Sequence, residues 1–219
     1  MTEPARESNG SEGGATSFGT TRDTARLTVF SDGVIAIAIT LLVLEIPPPH
    51  DTRRLWHELA NLWPSYMAYI LTFMLIGQVW VNHHVMFDHI RSADRMVLFL
   101  NTLLLMDVAF LPFAASVLAE AFRDGQGERA AVILHGASFC LLAVLFTLIW
   151  RYACRNRRLL APTIGPAGVK AISRRFQLAV VWLAAGAALG AALPLLGMGV
   201  IAAFIAYYWL PVSGEVANE

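Results

Sequence analysis

Charge is scarce in this sequence: only 15% of its 219 residues are Asp, Glu, Lys or Arg, against 57% hydrophobic. A soluble domain of this length needs roughly a quarter of its residues charged to cover its surface, so the composition excludes one and points to an integral membrane protein. Sixteen basic residues balance sixteen acidic ones. That balance by itself says nothing about nucleic acid, and the placement of the charges along the chain is what informs; no nucleic-acid partner is expected. Cysteine is nearly absent. Cys140 and Cys154 fall on one expected helix about 21 Å apart, too far to pair, so no disulfide framework exists. No internal repeat is found. Large apolar side chains are almost missing from residues 1–25, which therefore cannot bury enough surface to order themselves and are expected to form a disordered cytoplasmic tail. A cleavable signal peptide is excluded as well, because the first apolar run starts late, is full length and ends in Glu45-Ile46-Pro47-Pro48-Pro49.

What the chain does contain is apolar runs. Six are drawn, at 27–46, 62–81, 96–113, 130–152, 176–193 and 195–210, and their lengths and composition predict an all-α membrane protein with six transmembrane helices in a domain over 26–212, followed by a tail over 213–219. Pro194 and Gly197 separate the last two, which suits a tight helical hairpin; being short, that pair is also compatible with a re-entrant arrangement. Basic residues concentrate in alternate connections. Arg151, Arg155, Arg157, Arg158, Lys170, Arg174 and Arg175 lie between the fourth and fifth runs, and Arg91 and Arg95 between the second and third. The remaining connections mix signs, so the positive-inside rule predicts that both termini are cytoplasmic, in a cell membrane. Trp56, Trp63, Trp150, Tyr152, Tyr207, Tyr208 and Trp209 fall near the ends of the runs, as an interfacial belt does.

The first run carries the most information. It is about 30 Å long as a helix, enough to cross a hydrocarbon core, yet holds Asp32 near its start. An acid there costs at least about 2.5 kcal/mol on insertion scales, so it must face protein or water and have a partner. On a helical wheel Phe30, Ile37, Leu41 and Leu44 fall within about 40° of one line, and Asp32 lies about 140° from Ile37. One face is apolar and another polar. Gly33, Ala36 and Ala38 border the apolar stripe and allow helices to approach closely. By itself such a stripe is as compatible with lipid or core as with an ion path.

Arg26, Phe30, Ser31 and Asp32 spell Arg-x-x-x-Phe-Ser-Asp, and a Gly-Val-x-Ala-Ile-x-x-Thr-x-Leu-Val-Leu-Glu run follows. This segment resembles the prokaryotic branch of the potassium channel family known in animals as lysosomal transmembrane protein 175, and the Trp80-x-Asn82-His83-His84 segment agrees with it. The resemblance implies a central pore lined by the first helix, with an isoleucine or leucine ring at its narrowest point. The matching residue is Ile37, with Thr40 beside it and Leu41 and Leu44 as further apolar layers. Animal members carry two six-helix repeats, so a single-repeat chain implies a homotetramer. No Thr-Val-Gly-Tyr-Gly carbonyl filter occurs in the chain. Potassium selectivity would then come from a hydrophobic constriction that makes ions shed water. The resemblance implies potassium ion as the permeant species and membrane lipid as the surroundings, and it implies no cofactor.

The polar residues divide into groups. Arg26, Ser31 and Asp32 are expected to form a structural network with Trp80, Asn82, His83 and His84, which share their depth. His84 and Asp88 have the i, i+4 spacing of metal ligands, but a pair is not a site, and no metal is expected. Asp107 and His135 lie at membrane depth, where two arrangements are open: a mutual pair, or Asp107 facing a wet cleft. These acids and histidines also motivate the alternative function, a proton- or cation-coupled secondary transporter, although neither broken helices nor repeat symmetry accompanies them. No nucleophile and base pair can be assembled, so an enzyme is not expected.

Overall fold

A computed structural model describes residues 21–49 and 51–209. Among the described residues seven α-helices follow one another: α1 (Thr21–Leu41), α2 (Leu55–Asn61), α3 (Trp63–His89), α4 (Arg95–Asp124), α5 (Glu128–Arg155), α6 (Pro166–Ala192) and α7 (Pro194–Trp209). Among the described residues the sole β feature is an isolated bridge between Ile90 and Leu160. The expected tail lies outside the described residues up to residue 20, but residues 21–25 are already helical and extend α1 beyond the apolar run. The tail expected over 213–219 also lies outside them.

Local chemistry sets the helix ends. α1 tightens into a 3₁₀ turn over Leu42–Glu45, and the three prolines that follow prevent continuation, because proline lacks the donor that the next turn needs. The Asp94 side chain caps α4 by accepting from the backbone N–H of Met96 and Val97, both at 3.1 Å. Gly125 (φ 64°) and Gly127 (φ 75°) turn α4 into α5 in the left-handed region that other residues avoid. Prolines open α3, α6 and α7 within their first two positions, where their missing N–H costs nothing.

Among the described residues five helices are long and apolar enough to cross a membrane: α1 with its 3₁₀ extension, α3, α4, α5 and α6. The sixth apolar run is α7, shorter at 16 residues up to Trp209. The protein is a multi-pass membrane protein. Sequential neighbours α3 to α7 pack in turn, and α1 packs against α3 and α4. The core includes Ile76, Leu104, Val108, Leu111, Leu118, Ile149 and Trp150, each no more than 1% exposed. α6 packs very closely against both neighbours: a Cβ at Gly197 of α7 would sit 2.4 Å from Gly190 Cα, and one at Gly190 would sit 2.3 Å from a methyl of Val132 on α5. Gly186 and Gly190 therefore serve packing within the subunit.

One end of the bundle is tied together by its connections. Arg91 N–H donates to the Leu159 carbonyl at 2.8 Å and Ala161 N–H to that of His89 at 2.9 Å, joining the α3–α4 and α5–α6 connections. Tyr152 Oη–H donates to Asp94 Oδ2 at 2.7 Å, and Thr24 Oγ1–H to the Arg91 carbonyl at 3.1 Å. These bonds fix the start of α1 against the same end.

Candidate functional site

α1 has two unlike faces. Ile35, Ala38 and Leu42 are at most 2% exposed and pack into the core, whereas Val29, Phe30, Ile37, Leu41 and Leu44 point outward, Leu44 at 74% and Ile37 at 61% exposure. Arg26, Gly33, Ala36 and Thr40 share the outward side. Phe30, Ile37 and Leu44 recur every seven residues, the spacing that keeps one seam facing a neighbouring helix in a left-handed coil. In the 3₁₀ turn residues three apart eclipse, which keeps Leu44 over Leu41. Thr40 donates its hydroxyl proton to the Ile37 carbonyl at 2.8 Å. Among the described residues nothing donates to the Thr40 oxygen. A Cβ at Gly33 would meet nothing within 4 Å, so no contact within the subunit requires glycine there.

The inward face carries a directed hydrogen-bond chain. Ser31, fully buried, donates to the Leu27 carbonyl at 2.9 Å. Its proton is thereby committed, and its oxygen accepts from Asn101 Nδ2 at 3.0 Å. The Asn101 amide is oriented as a result, its Oδ1 facing His83 Nε2 at 3.1 Å, so Nε2 must carry the proton. His83 is 0% exposed and Asn101 1%. The chain ends at His83 Nδ1, which has no partner among the described residues. Beside it, Trp80 Nε1–H donates to Asp32 Oδ1 at 3.1 Å. Three helices are thus tied at one depth by α1 (Ser31, Asp32), α3 (Trp80, His83) and α4 (Asn101).

Other residues grouped with these by sequence go elsewhere. Arg26 is exposed and makes no ion pair with Asp32; six residues apart, the two lie about 120° apart on the helix. Asn82 accepts from Tyr208, linking α3 to α7. His84 stacks on Trp80 with 5.8 Å between centroids and approaches Asp88 to 3.7 Å; among the described residues no third His, Cys, Asp or Glu joins them. His135 bonds Thr72 Oγ1 at 2.9 Å, so it is not paired with Asp107. Asp107 is 6% exposed, and its Oδ2 lacks a partner among the described residues. Sequence reasoning gave Asn101 no role, although it is the hub of the network. The available signal was the one side-chain amide in the apolar run 96–113.

Comparison with known proteins falls on these elements. Residues 26–112, from α1 into α4, match the family described as endosomal/lysosomal potassium channel TMEM175. A potassium channel of Streptomyces collinus is 36% identical over 200 residues, covering 89% of this chain and 97% of that protein. One of Chamaesiphon minutus is 41% identical over 159 residues, covering 71% and 78%. The crystal structure of a lysosomal potassium-selective channel TMEM175 homolog from Chamaesiphon minutus superposes with a TM-score of 0.77 at 34% identity, over 85% of this chain and 96% of that one. With motif, helix order and near full-length similarity in agreement, the chain belongs to the TMEM175 potassium channel family.

Proposed function

We propose that this chain forms a potassium-selective channel, a homotetramer in which four α1 helices surround the ion path. The observation that carries this reading is the outward face of α1, where Phe30, Ile37, Thr40, Leu41 and Leu44 are all exposed in the single subunit. Such a face on a helix locked to α3 and α4 by a buried polar network suits a pore wall, since the wall must hold its position while ions pass. The names of the bacterial relatives supply the ion.

In this reading Ile37 forms the narrowest ring and Leu41 and Leu44 form further layers. Apolar rings offer no oxygen to replace hydration water, so each ion pays for the water it sheds. Potassium holds its shell less tightly than sodium and pays less. Thr40 lone pairs supply the nearest side-chain oxygens. Asp32, turned to Trp80, positions α1. The termini are cytoplasmic in a cell membrane, following the basic connections, and the chain has no catalytic role.

The test is potassium flux into liposomes holding the purified protein, with and without a sodium gradient, together with its mass in detergent. Selective flux from a four-subunit species is expected. A stable monomer that still conducts overturns the assembly. Flux that occurs only with a coupled proton or sodium gradient would favour the carrier alternative, for which buried Asp107 is the group to pursue.

A further inference from the structure

The charges of this protein are unevenly placed. No Asp or Glu lies between Glu128 and Glu215, while seven Lys or Arg residues fall within 151–175. Those residues sit on the end of α5, the start of α6 and the connection between them. The connection is docked, with Leu159 3% exposed and bonded across to Arg91. Its cations therefore stand on a fixed platform.

Six of the seven point outward: Arg151, Arg155, Arg157, Arg158, Lys170 and Arg174 are exposed. Arg175 is used internally, its guanidinium 4.0 Å from the centre of the Tyr208 ring. Three acids at this end are engaged elsewhere. Asp94 caps α4 and accepts from Tyr152, Asp88 faces His84, and Asp32 accepts from Trp80. Among the described residues no carboxylate lies within ion-pair distance of a Lys or Arg.

A second observation gives the class of partner. Below Arg151 on the same face of α5 come exposed Leu148 and Leu141, and below Arg174 on α6 come exposed Leu178 and Val181. Each stripe places a cation directly above bare hydrocarbon surface. A soluble anion would use only the cation, whereas a lipid with an anionic headgroup and acyl chains matches both parts.

We propose that the α5–α6 end of the bundle is a binding surface for anionic phospholipids. Arg151 and Arg174 hold the headgroup phosphate above acyl chains lying on the two stripes. Arg155, Arg157, Arg158 and Lys170 supply the surrounding positive field, and arginine suits phosphate because its fork donates two parallel hydrogen bonds. The proposal does not depend on conduction, so a non-conducting protein would leave it standing.

The test is lipid retention by the purified full-length protein in detergent, read by native mass spectrometry with phosphatidylglycerol and phosphatidylcholine of the same acyl chains. The parent should retain phosphatidylglycerol at least about fivefold over phosphatidylcholine, the worth of one Lys or Arg near a lipid surface. The R157Q/R158Q/K170Q/R174Q variant should lose that preference, retaining the two lipids within about twofold of each other. R53Q/R54Q, at the opposite end, should keep it. Raising the ionic strength should weaken the preference of the parent protein, a measurement that needs no variant. Equal retention of the two lipids by the parent, or an equal loss in R53Q/R54Q, overturns the proposal. So does displacement of the lipid by equimolar glycerol phosphate, which would make this a site for soluble phosphates.

Discussion

Replacing Asn101 with leucine should destabilise the subunit by about 2–4 kcal/mol, through the loss of directed hydrogen bonds rather than of volume. Asn101 makes two interhelical bonds, to Ser31 at 3.0 Å and to His83 at 3.1 Å, each worth about 0.6 kcal/mol on average within a membrane. The larger part comes from what the substitution leaves behind. His83 is 0% exposed and its Nδ1 already lacks a partner among the described residues, so losing Asn101 orphans its Nε2–H too, at about 1–3 kcal/mol. Ser31 is affected less, because it still donates to Leu27. His83→Phe should also destabilise, by stranding Asn101 Oδ1, while preserving the ring packing against Phe87 and Phe146. The double variant removes donor and acceptor together and should be less destabilised than the sum of the singles by about 1–2 kcal/mol. Equilibrium unfolding in mixed micelles, followed by circular dichroism, measures all four corners of the cycle. Additivity within about 0.5 kcal/mol would refute the claim that the two residues act as one unit.

Trp80→Phe removes the donor to Asp32 and should lower stability by about 0.5–1.5 kcal/mol while leaving ion preference intact; a shifted reversal potential would move Asp32 from anchor to ion path. Asp32→Asn keeps an oxygen for Trp80 and should assemble better than Asp32→Leu, as gel filtration would report. Gly197→Ala places a methyl against the Gly190 backbone and should cost about 1–3 kcal/mol in the same unfolding assay. The first carbon added at Gly33 meets nothing within 4 Å in the subunit and glycine is the weaker helix former, so Gly33→Leu should not destabilise subunit unfolding but should reduce the tetramer fraction, and an unaltered tetramer would count against α1 as the contact between copies.

Much of this fold is legible in the sequence because the bilayer permits few alternatives. Long apolar runs had to be helices, and the six runs correspond to α1 and α3 to α7. Hydropathy could not give where the helices stop. α3 runs on to His89 and α4 to Asp124 because polar turns beyond the apolar run keep their backbone bonds, and α4 ends only where Gly125 adopts a left-handed conformation. The short helix α2 has too little periodic signal to be found. At the site, the wheel separated Asp32 from Ile37, and it also places Arg26 well away from Asp32, information that the motif spelling obscured. The pairing of Ser31 with Asn101 depends on how α1 rotates against α4. That rotation is set by packing of Ile35, Ala38 and Leu42, which no spacing within α1 encodes.

The claim that α1 sorts ions at Ile37 is tested most directly by the reversal potential of Ile37→Asn under a potassium–sodium gradient, beside the parent protein and the Leu41→Asn and Leu44→Asn variants. An amide at the ring supplies oxygens and water, lowering the dehydration cost for both ions. Current should rise and the potential should move towards the value for equal permeability, with smaller shifts for the two leucine variants. A potential unchanged from the parent in Ile37→Asn would contradict the hydrophobic-ring account.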